Sequence, residues 1–336
     1  MSLPKTMRVA VYYRNSDVRL EERPVPEIGP GELLVKVAAS GICGTDVMEW
    51  YRIKKAPRVL GHEITGEIVL SKSPKYREGQ RVFVSHHVPC YRCKYCLDGN
   101  HTACDTLHQG NYDPGGYSEY IRVPALNVEH GIYPLPDSVS YVEGTFIEPL
   151  ACVVRGHRVI GLKRGHTVLV MGCGVSGLMN IQLAKLAGAR VLATDIHPYR
   201  LRKAAECGAD EVLDARKDFD FKADRVILCT GAIQAVDQAF RCLDKKGVLL
   251  LFAIPAQNIQ VPTVDFWRNE MAMVSSYGAA GPDLDEALEL IKNRRVRMND
   301  LVTHQLPLEK IQEGFDLSAK AGESLKVVLT LSQGDI

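Results

Sequence analysis

Nowhere in this sequence do about 18 apolar residues follow one another, so no membrane-spanning helix is expected. The N-terminal MSLPKTMRVAVYY has no apolar stretch behind its basic residues and does not read as a secretory signal. Charge of one sign is missing too: 41 basic against 40 acidic side chains leave a net +1, too little to build a field for nucleic acid. Internal repeats and low-complexity tracts are absent, and a hydrophobic content of 46% excludes a disordered chain. These absences leave small molecules as the expected partners and a reducing cytoplasm as the expected compartment. A length of 336 residues implies two domains rather than one.

The chain does have ten cysteines, four of them in PCYRCKYCLDGNHTAC. In a reducing compartment, closely spaced cysteines serve metals more readily than disulfides. The spacing of Cys90, Cys93, Cys96 and Cys104 lets a knuckle wrap tetrahedral Zn2+ with four thiolates and no open position, which makes the site structural. Buried free thiols and an iron–sulfur cluster are the alternatives. The polar, turn-rich setting without a second cysteine cluster favours zinc.

A second set is scattered: Cys43 in SGICGTD, His62 and Glu63 in LGHEITGEI, and Glu148 in TFIEPLA. Mixed sulfur, nitrogen and oxygen donors are typical of catalytic zinc, where three protein ligands leave a place for water or substrate. Taken singly, each of these residues has an ordinary structural explanation: a small buried cysteine, a satisfied core histidine, a capping or surface glutamate.

The clearest folding pattern starts at Thr167. TVLVMG reads as a buried strand, Gly172, Gly174 and Gly177 form G-x-G-x-x-G around Val175 and Ser176, and LMNIQLAKLAGA continues as a helix. A second strand, RVLATD, ends on Asp195, at the distance expected of the acid that grips the adenosine ribose. Glycines there let backbone N–H groups approach a pyrophosphate at the positive end of a helix. Asp195 selects NAD over NADP by repelling a 2′-phosphate, and Arg200 lies close enough to soften that preference. Strand and helix then alternate through EVLD, RVILCT, GVLLLFA and MAMVSS, as in a doubly wound parallel sheet. Thr230, Gly231 and Ser276 follow such strands at their C-terminal ends, where nicotinamide is expected. The first part of the chain differs, with short β-rich runs broken by Pro and Gly.

GHE, the four-cysteine knuckle, GGYSEYIRVP, EPLA and the glycine loop stand in one order, and together they resemble the zinc-dependent medium-chain dehydrogenase/reductase family. The likeness is greatest to its sorbitol and threonine dehydrogenase branch, because Glu148 stands where classical alcohol dehydrogenases carry a cysteine ligand. The resemblance implies an α/β chain. Residues 1–149, with 293–336 returning to them, would form a GroES-like β-rich catalytic domain, and 150–292 a Rossmann NAD-binding domain, with substrate held in the cleft between the two. It implies two zinc ions per chain, the catalytic one on Cys43 and His62 with Glu63 or Glu148 completing the shell. The implied reaction is oxidation of a secondary alcohol of a polyol, sugar or sugar-derived compound, with hydride passing to NAD and Thr45 passing the proton outward; Asp46 would orient a neighbour or cap a turn. It also implies a homodimer or homotetramer. An L-threonine-type amino-alcohol oxidation is the same-class alternative, and a nucleotide-binding protein with only structural zinc is the alternative of another class.

Two features depart from the resemblance. Met48 occupies the place where these branches usually have a histidine that ends the proton relay, and a thioether carries no proton; His86 and His87 are candidate substitutes, although they also suit a strand edge. The segment between Cys43 and His62 is shorter than in such relatives, which puts sorbitol or threonine specificity in doubt. Tyr51 and Tyr277 are candidates for lining the substrate cleft.

Overall fold

The structure, a computed structural model, describes residues 3–255 and 257–331. Two compact units divide the chain: Met1–Pro149 with Ala279–Ile336, and Leu150–Gly278. The ends of the first unit and residue 256 of the second lie outside the described residues.

The first unit is built mainly of antiparallel strands. One sheet runs in the order Val302–Pro307, Lys326–Thr330, Leu33–Gly41, Glu63–Ser71, Arg81–Val84, Ile132–Pro134, with Tyr120–Val123 also paired to Leu33–Gly41. A three-stranded sheet places Thr6–Arg14 between Asp17–Pro24 and Arg58–Val59. Side chains from both sheets, including Tyr12, Leu33, Ile64 and Ile68, share one fully buried core with Tyr117 and with Phe315 of the helix Ile311–Lys320. The tail of the chain supplies the strand Lys326–Thr330, which pairs with the end of Leu33–Gly41 through Val328 opposite Gly41.

The second unit is a six-stranded parallel sheet in the order Glu211–Asp214, Arg190–Asp195, Thr167–Met171, Ala223–Leu228, Leu243–Leu251, Ala272–Ser275. The central strand Thr167–Met171 is apolar at almost every position because a parallel sheet covered on both faces has no polar side to show. The helices Val175–Leu186, Pro198–Glu206 and Ile233–Cys242 connect successive strands. The expected GroES-like and Rossmann architectures are both present. Among the described residues, no helix is long and apolar enough to cross a membrane.

The boundary expected at 293 needs correction, since the chain rejoins the first unit at Ala279. The helix Pro282–Lys292 therefore belongs there, not with the parallel sheet. The reason is packing: Ala280 sits in the small apolar cluster with Cys96, Cys104 and Leu107, and the Asp283 carboxylate accepts from the Ala280 N–H at 3.4 Å to cap the turn. Periodicity marks a helix but does not say which core its apolar face enters.

Candidate active site

Two neighbouring strands of the first unit bring the metal donors together. Leu33–Gly41 ends two residues before Cys43, and Glu63 opens the neighbouring strand, paired with Gly41. His62 immediately precedes it. Just beyond the register that sets Ile64 opposite Val84, the rings of His62 and His86 lie 4.9 Å apart. One donor atom each from Cys43, His62 and Glu63 lies within 4.8 Å of the others. The motifs GHE and GGY, 50-odd residues apart in sequence, are joined by Gly116 N–H donating to the Gly61 carbonyl at 3.0 Å and Tyr117 N–H donating to the Leu60 carbonyl at 3.0 Å.

A shell of buried polar side chains holds this group. Asp46, fully buried, accepts from the Tyr117 hydroxyl at 2.6 Å and from Arg52 Nη2 at 3.1 Å, and its Oδ1 lies 3.7 Å from His62 Nδ1. The Thr45 hydroxyl donates to Cys43 Sγ at 3.3 Å and accepts from Arg52 Nη2 at 3.0 Å. Glu63 is paired with Lys326, both side chains being almost entirely buried. A Cβ on Gly41 would overlap the Glu63 carboxylate and the Lys326 ammonium, so only glycine lets that pair close. Glu148, buried in the first turn of helix Ile147–Val159, is not part of the 4.8 Å group, but its charge reaches His62.

The electrostatics fit a cation. Burial alone pushes the His62 imidazole down, but the negative Asp46, Cys43 and Glu148 around it outweigh burial and raise it to about 10. So much negative charge converging on one imidazole is the environment that a divalent ion with an open position neutralises. His86 is different. Its ring lies 4.9 Å from that of His62 and 3.7 Å from that of His87, and burial together with His87, His62 and Arg52 pushes it well down, so it is neutral. Burial also pushes His87 down, to about 3. Of the two candidate cleft tyrosines, Tyr51 is substantially exposed, with the Arg52 guanidinium 5.1 Å from its ring centre, and Tyr277, in the second unit, is exposed as well.

The knuckle forms the second donor set: the sulfurs of Cys90, Cys93, Cys96 and Cys104 lie within 4.8 Å of one another. Cys93 and Cys96 are 3.6 Å apart, Cys90 and Cys104 3.5 Å. Burial works against ionising Cys104, but N–H groups of Cys90 and Leu107 aimed at its sulfur outweigh it and bring the thiol to about 6. Four sulfurs in one group suit zinc with no vacant position.

In the second unit the glycine loop has a geometry that fits a phosphate. Gly172 has φ +93°, and a Cβ on Gly177 would overlap the Gly172 carbonyl oxygen. A Cβ on Gly174 would meet nothing nearer than Arg200 Nη1 at 4.0 Å, which leaves its face open for a ligand. Gly174 caps the helix Val175–Leu186 without a side-chain hydrogen bond, so the first N–H groups, including those of Val175 and Ser176, have no side chain to satisfy them. Asp195 is buried and accepts from the Cys173 N–H at 2.8 Å and the His197 N–H at 2.9 Å. Thr230 and Gly231 follow the strand Ala223–Leu228 and Ser276 follows Ala272–Ser275, all at the C-terminal edge of the sheet with the loop. These residues fit a dinucleotide.

Known proteins match both units. Residues 29–137 match the family described as the alcohol dehydrogenase GroES-like domain, and residues 176–293 the family described as zinc-binding dehydrogenase. Sorbitol dehydrogenase of Ovis aries is 32% identical, over 97% of this chain and 96% of that protein. The chain belongs to the zinc-dependent medium-chain dehydrogenase/reductase family, in its sorbitol dehydrogenase-like branch. Among solved structures of similar fold are 2R,3R-butanediol dehydrogenase from Bacillus subtilis, with TM-score 0.85 and 26% identity over 97% of this chain and all of that one, and a short chain alcohol dehydrogenase of Escherichia coli CFT073 complexed with NADH, with TM-score 0.87 and 26% identity over 98% of this chain and all of that one. This dehydrogenase thus carries donor sets that fit one structural and one catalytic zinc, and a loop that fits NAD.

Sequence reasoning missed Lys326 and Arg52. Lys326 carried no signal beyond being a lysine at the head of an apolar strand. Arg52 stands in the very segment whose shortening was evident, and a basic residue seven positions after Thr45 was the available hint.

Proposed function

We propose that this dehydrogenase oxidises a secondary alcohol of a polyol, sugar or sugar-derived compound to the ketone, with NAD as acceptor, at the Cys43–His62–Glu63 group. The observation that carries this reading is the convergence of one sulfur, one nitrogen and one carboxylate donor within 4.8 Å, in a chain whose other unit holds a dinucleotide loop. Zinc supplies Lewis acidity that eases loss of the alcohol proton near neutral pH, and NAD supplies the hydride acceptor.

The residues do the rest. Cys43 and His62 hold the ion. Glu63 stays paired with Lys326 or turns to the ion, and Glu148 stands ready as the other carboxylate. The Thr45 hydroxyl, one hydrogen bond from Cys43, would accept the proton of the alcohol while its own proton swings from the sulfur to water or a cofactor ribose hydroxyl. Gly172, Gly174, Val175, Ser176 and Gly177 hold the pyrophosphate and Asp195 the ribose, with Arg200 beside the loop and Thr230, Gly231 and Ser276 toward the nicotinamide. The chain is further proposed to work in the cytoplasm, where its ligating thiols stay reduced, and as a homodimer or homotetramer. Support for self-association comes from the edge strand Ala272–Ser275, unpaired on one side among the described residues, with exposed Met273 on it and exposed Trp267 and Val264 on the preceding helix.

The test is a panel of polyols, inositols, sugars, simple alcohols and L-threonine, followed as NADH absorbance, with zinc counted per chain. Turnover of polyols or sugars with two zinc ions is the expected outcome. Turnover of threonine alone would overturn the substrate class, and a single zinc with no turnover would leave a nucleotide-binding protein.

A further inference from the structure

The shortened segment between Cys43 and His62 folds into two short turns, Glu49–Arg52 and Ile53–Lys55, and returns one side chain to the metal group. Arg52 Nε donates to the Thr45 backbone carbonyl at 2.9 Å, while Nη2 donates to the Thr45 hydroxyl oxygen at 3.0 Å and to Asp46 Oδ1 at 3.1 Å. One planar fork therefore grips the main chain and the side chain of the same threonine. Guanidinium is permanently charged and offers only donors. It occupies a lone pair of the Thr45 oxygen, so the threonine's own proton cannot point toward it. That proton is directed to the other side, where Cys43 Sγ accepts it at 3.3 Å.

We propose that Arg52 is a positioning residue, supplied by the shortened segment, that fixes the Thr45 hydroxyl against the Cys43 sulfur; it does not replace the proton-accepting histidine whose place Met48 takes. The fork sets both the rotamer of Thr45 and the direction of its O–H bond. No proton is transferred to Arg52. When a substrate alcohol approaches, the threonine meets it already oriented, with one lone pair taken by the guanidinium and the other open to the alcohol proton, its own proton then leaving the sulfur for water. The anchor is itself fixed, because the Asp46 carboxylate that receives Nη2 is fully buried and held from the other side by the Tyr117 hydroxyl at 2.6 Å. The arginine side chain keeps only 18% of its surface exposed, so few other positions are open to it.

The turnover part of this inference rests on the proposed alcohol oxidation; the orientation part does not, and the two are tested separately. With cobalt(II) replacing zinc, the thiolate-to-metal charge-transfer absorption reports on the hydrogen bonding of the Cys43 sulfur, while the knuckle contributes a background common to all variants. Arg52→Met should shift that absorption in the same direction as Thr45→Val, and the double variant should shift it no further than Thr45→Val alone. In turnover, Arg52→Met should lower kcat about 10- to 100-fold with little change in KM, and Arg52→Lys, which keeps one donor and the charge beside Asp46, should recover part of the loss and provides a folded variant if the methionine does not fold. A cobalt spectrum of Arg52→Met or Arg52→Lys identical to wild type, when Thr45→Val is altered, overturns the inference. So do losses in kcat that simply multiply in the Arg52→Met/Thr45→Val pair. Should the wild type oxidise no alcohol at all, the functional reading falls, and the spectra still decide the role of Arg52.

Discussion

Replacing Lys326 by methionine is the most demanding perturbation of the site. Lys326 is 2% exposed and Glu63 1%, so each is the other's counter-charge in a region water does not reach. The ammonium is further held by the Ile42 carbonyl at 3.3 Å and lies 5.6 Å from the centre of the Phe146 ring. Methionine matches the length of the lysine stem but leaves the carboxylate uncompensated, and breaking one side of such a buried pair costs about 3–5 kcal/mol. For a unit of this size each kcal/mol moves the melting temperature by roughly 2–4 °C, so a fall of about 6–20 °C is expected. Zinc at the group offers Glu63 a second positive partner, which places the zinc-loaded protein toward the lower end of that range. It also predicts that Glu63 competes for the open position and that kcat falls. The assay is thermal unfolding of wild type, Lys326→Met and Lys326→Met/Glu63→Gln, with zinc content measured alongside. The double variant carries no charge at this pair and should recover most of the loss. A single variant that melts within a degree or two of wild type, or a double variant no better than the single, would refute the argument that the two residues neutralise each other.

Other outcomes follow from the same geometry. His62→Ala or Cys43→Ala should abolish turnover while NAD binding, measured by calorimetry, persists, because the dinucleotide loop belongs to the other unit; retained turnover would remove these residues from the site. Asp195→Ala frees the Cys173 and His197 N–H groups and removes the carboxylate proposed to meet the ribose, so NAD should bind about 10- to 100-fold more weakly and preference should move toward NADP; an unchanged ratio of kcat/KM for the two cofactors would contradict the assignment. His157, 8% exposed and hydrogen-bonded to Asn180 at 3.0 Å, is pushed down by burial to about 4. Because its native value lies below the ordinary 6.5, the unfolded chain takes up the proton first as pH falls. The stability it contributes is therefore complete above about pH 6.5 and drains away toward pH 4, by roughly 2 kcal/mol at pH 5. Urea unfolding at pH 7 and pH 5 should show wild type losing about that much more than His157→Gln, and equal losses would show that this imidazole is not the cause.

The two halves of the molecule were unequally legible. The glycine loop, the strand before it and Asp195 lie within one short stretch, where local spacing and the geometry of a strand, turn and helix already determine what meets what. The knuckle is likewise local, and its four cysteines come together within one short lobe. The catalytic group is not local. Cys43, His62 and Glu148 were nameable from the order of motifs, but that order carries no distances. It did not reveal that Glu63, rather than Glu148, shares the 4.8 Å group, nor that Glu63 is already occupied by a lysine more than 260 residues away in sequence.

What the sequence determined by itself was the inventory: two donor sets of the right chemistry, a dinucleotide loop, β-rich and alternating halves. Spacing and periodicity are properties of neighbouring residues, and they suffice wherever function is built from neighbours. The tertiary structure decided the pairings among distant residues. Strand register sets Gly41 beside Glu63 and beside Val328, which brings Lys326 to the buried carboxylate. The fold of the 49–55 segment turns Arg52 back onto Thr45 and Asp46. Helix Pro282–Lys292 joins the first unit because Ala280, just before it, packs on the knuckle. Each of these depends on which surfaces exclude water together, and that is settled only when the whole chain has closed around its cores.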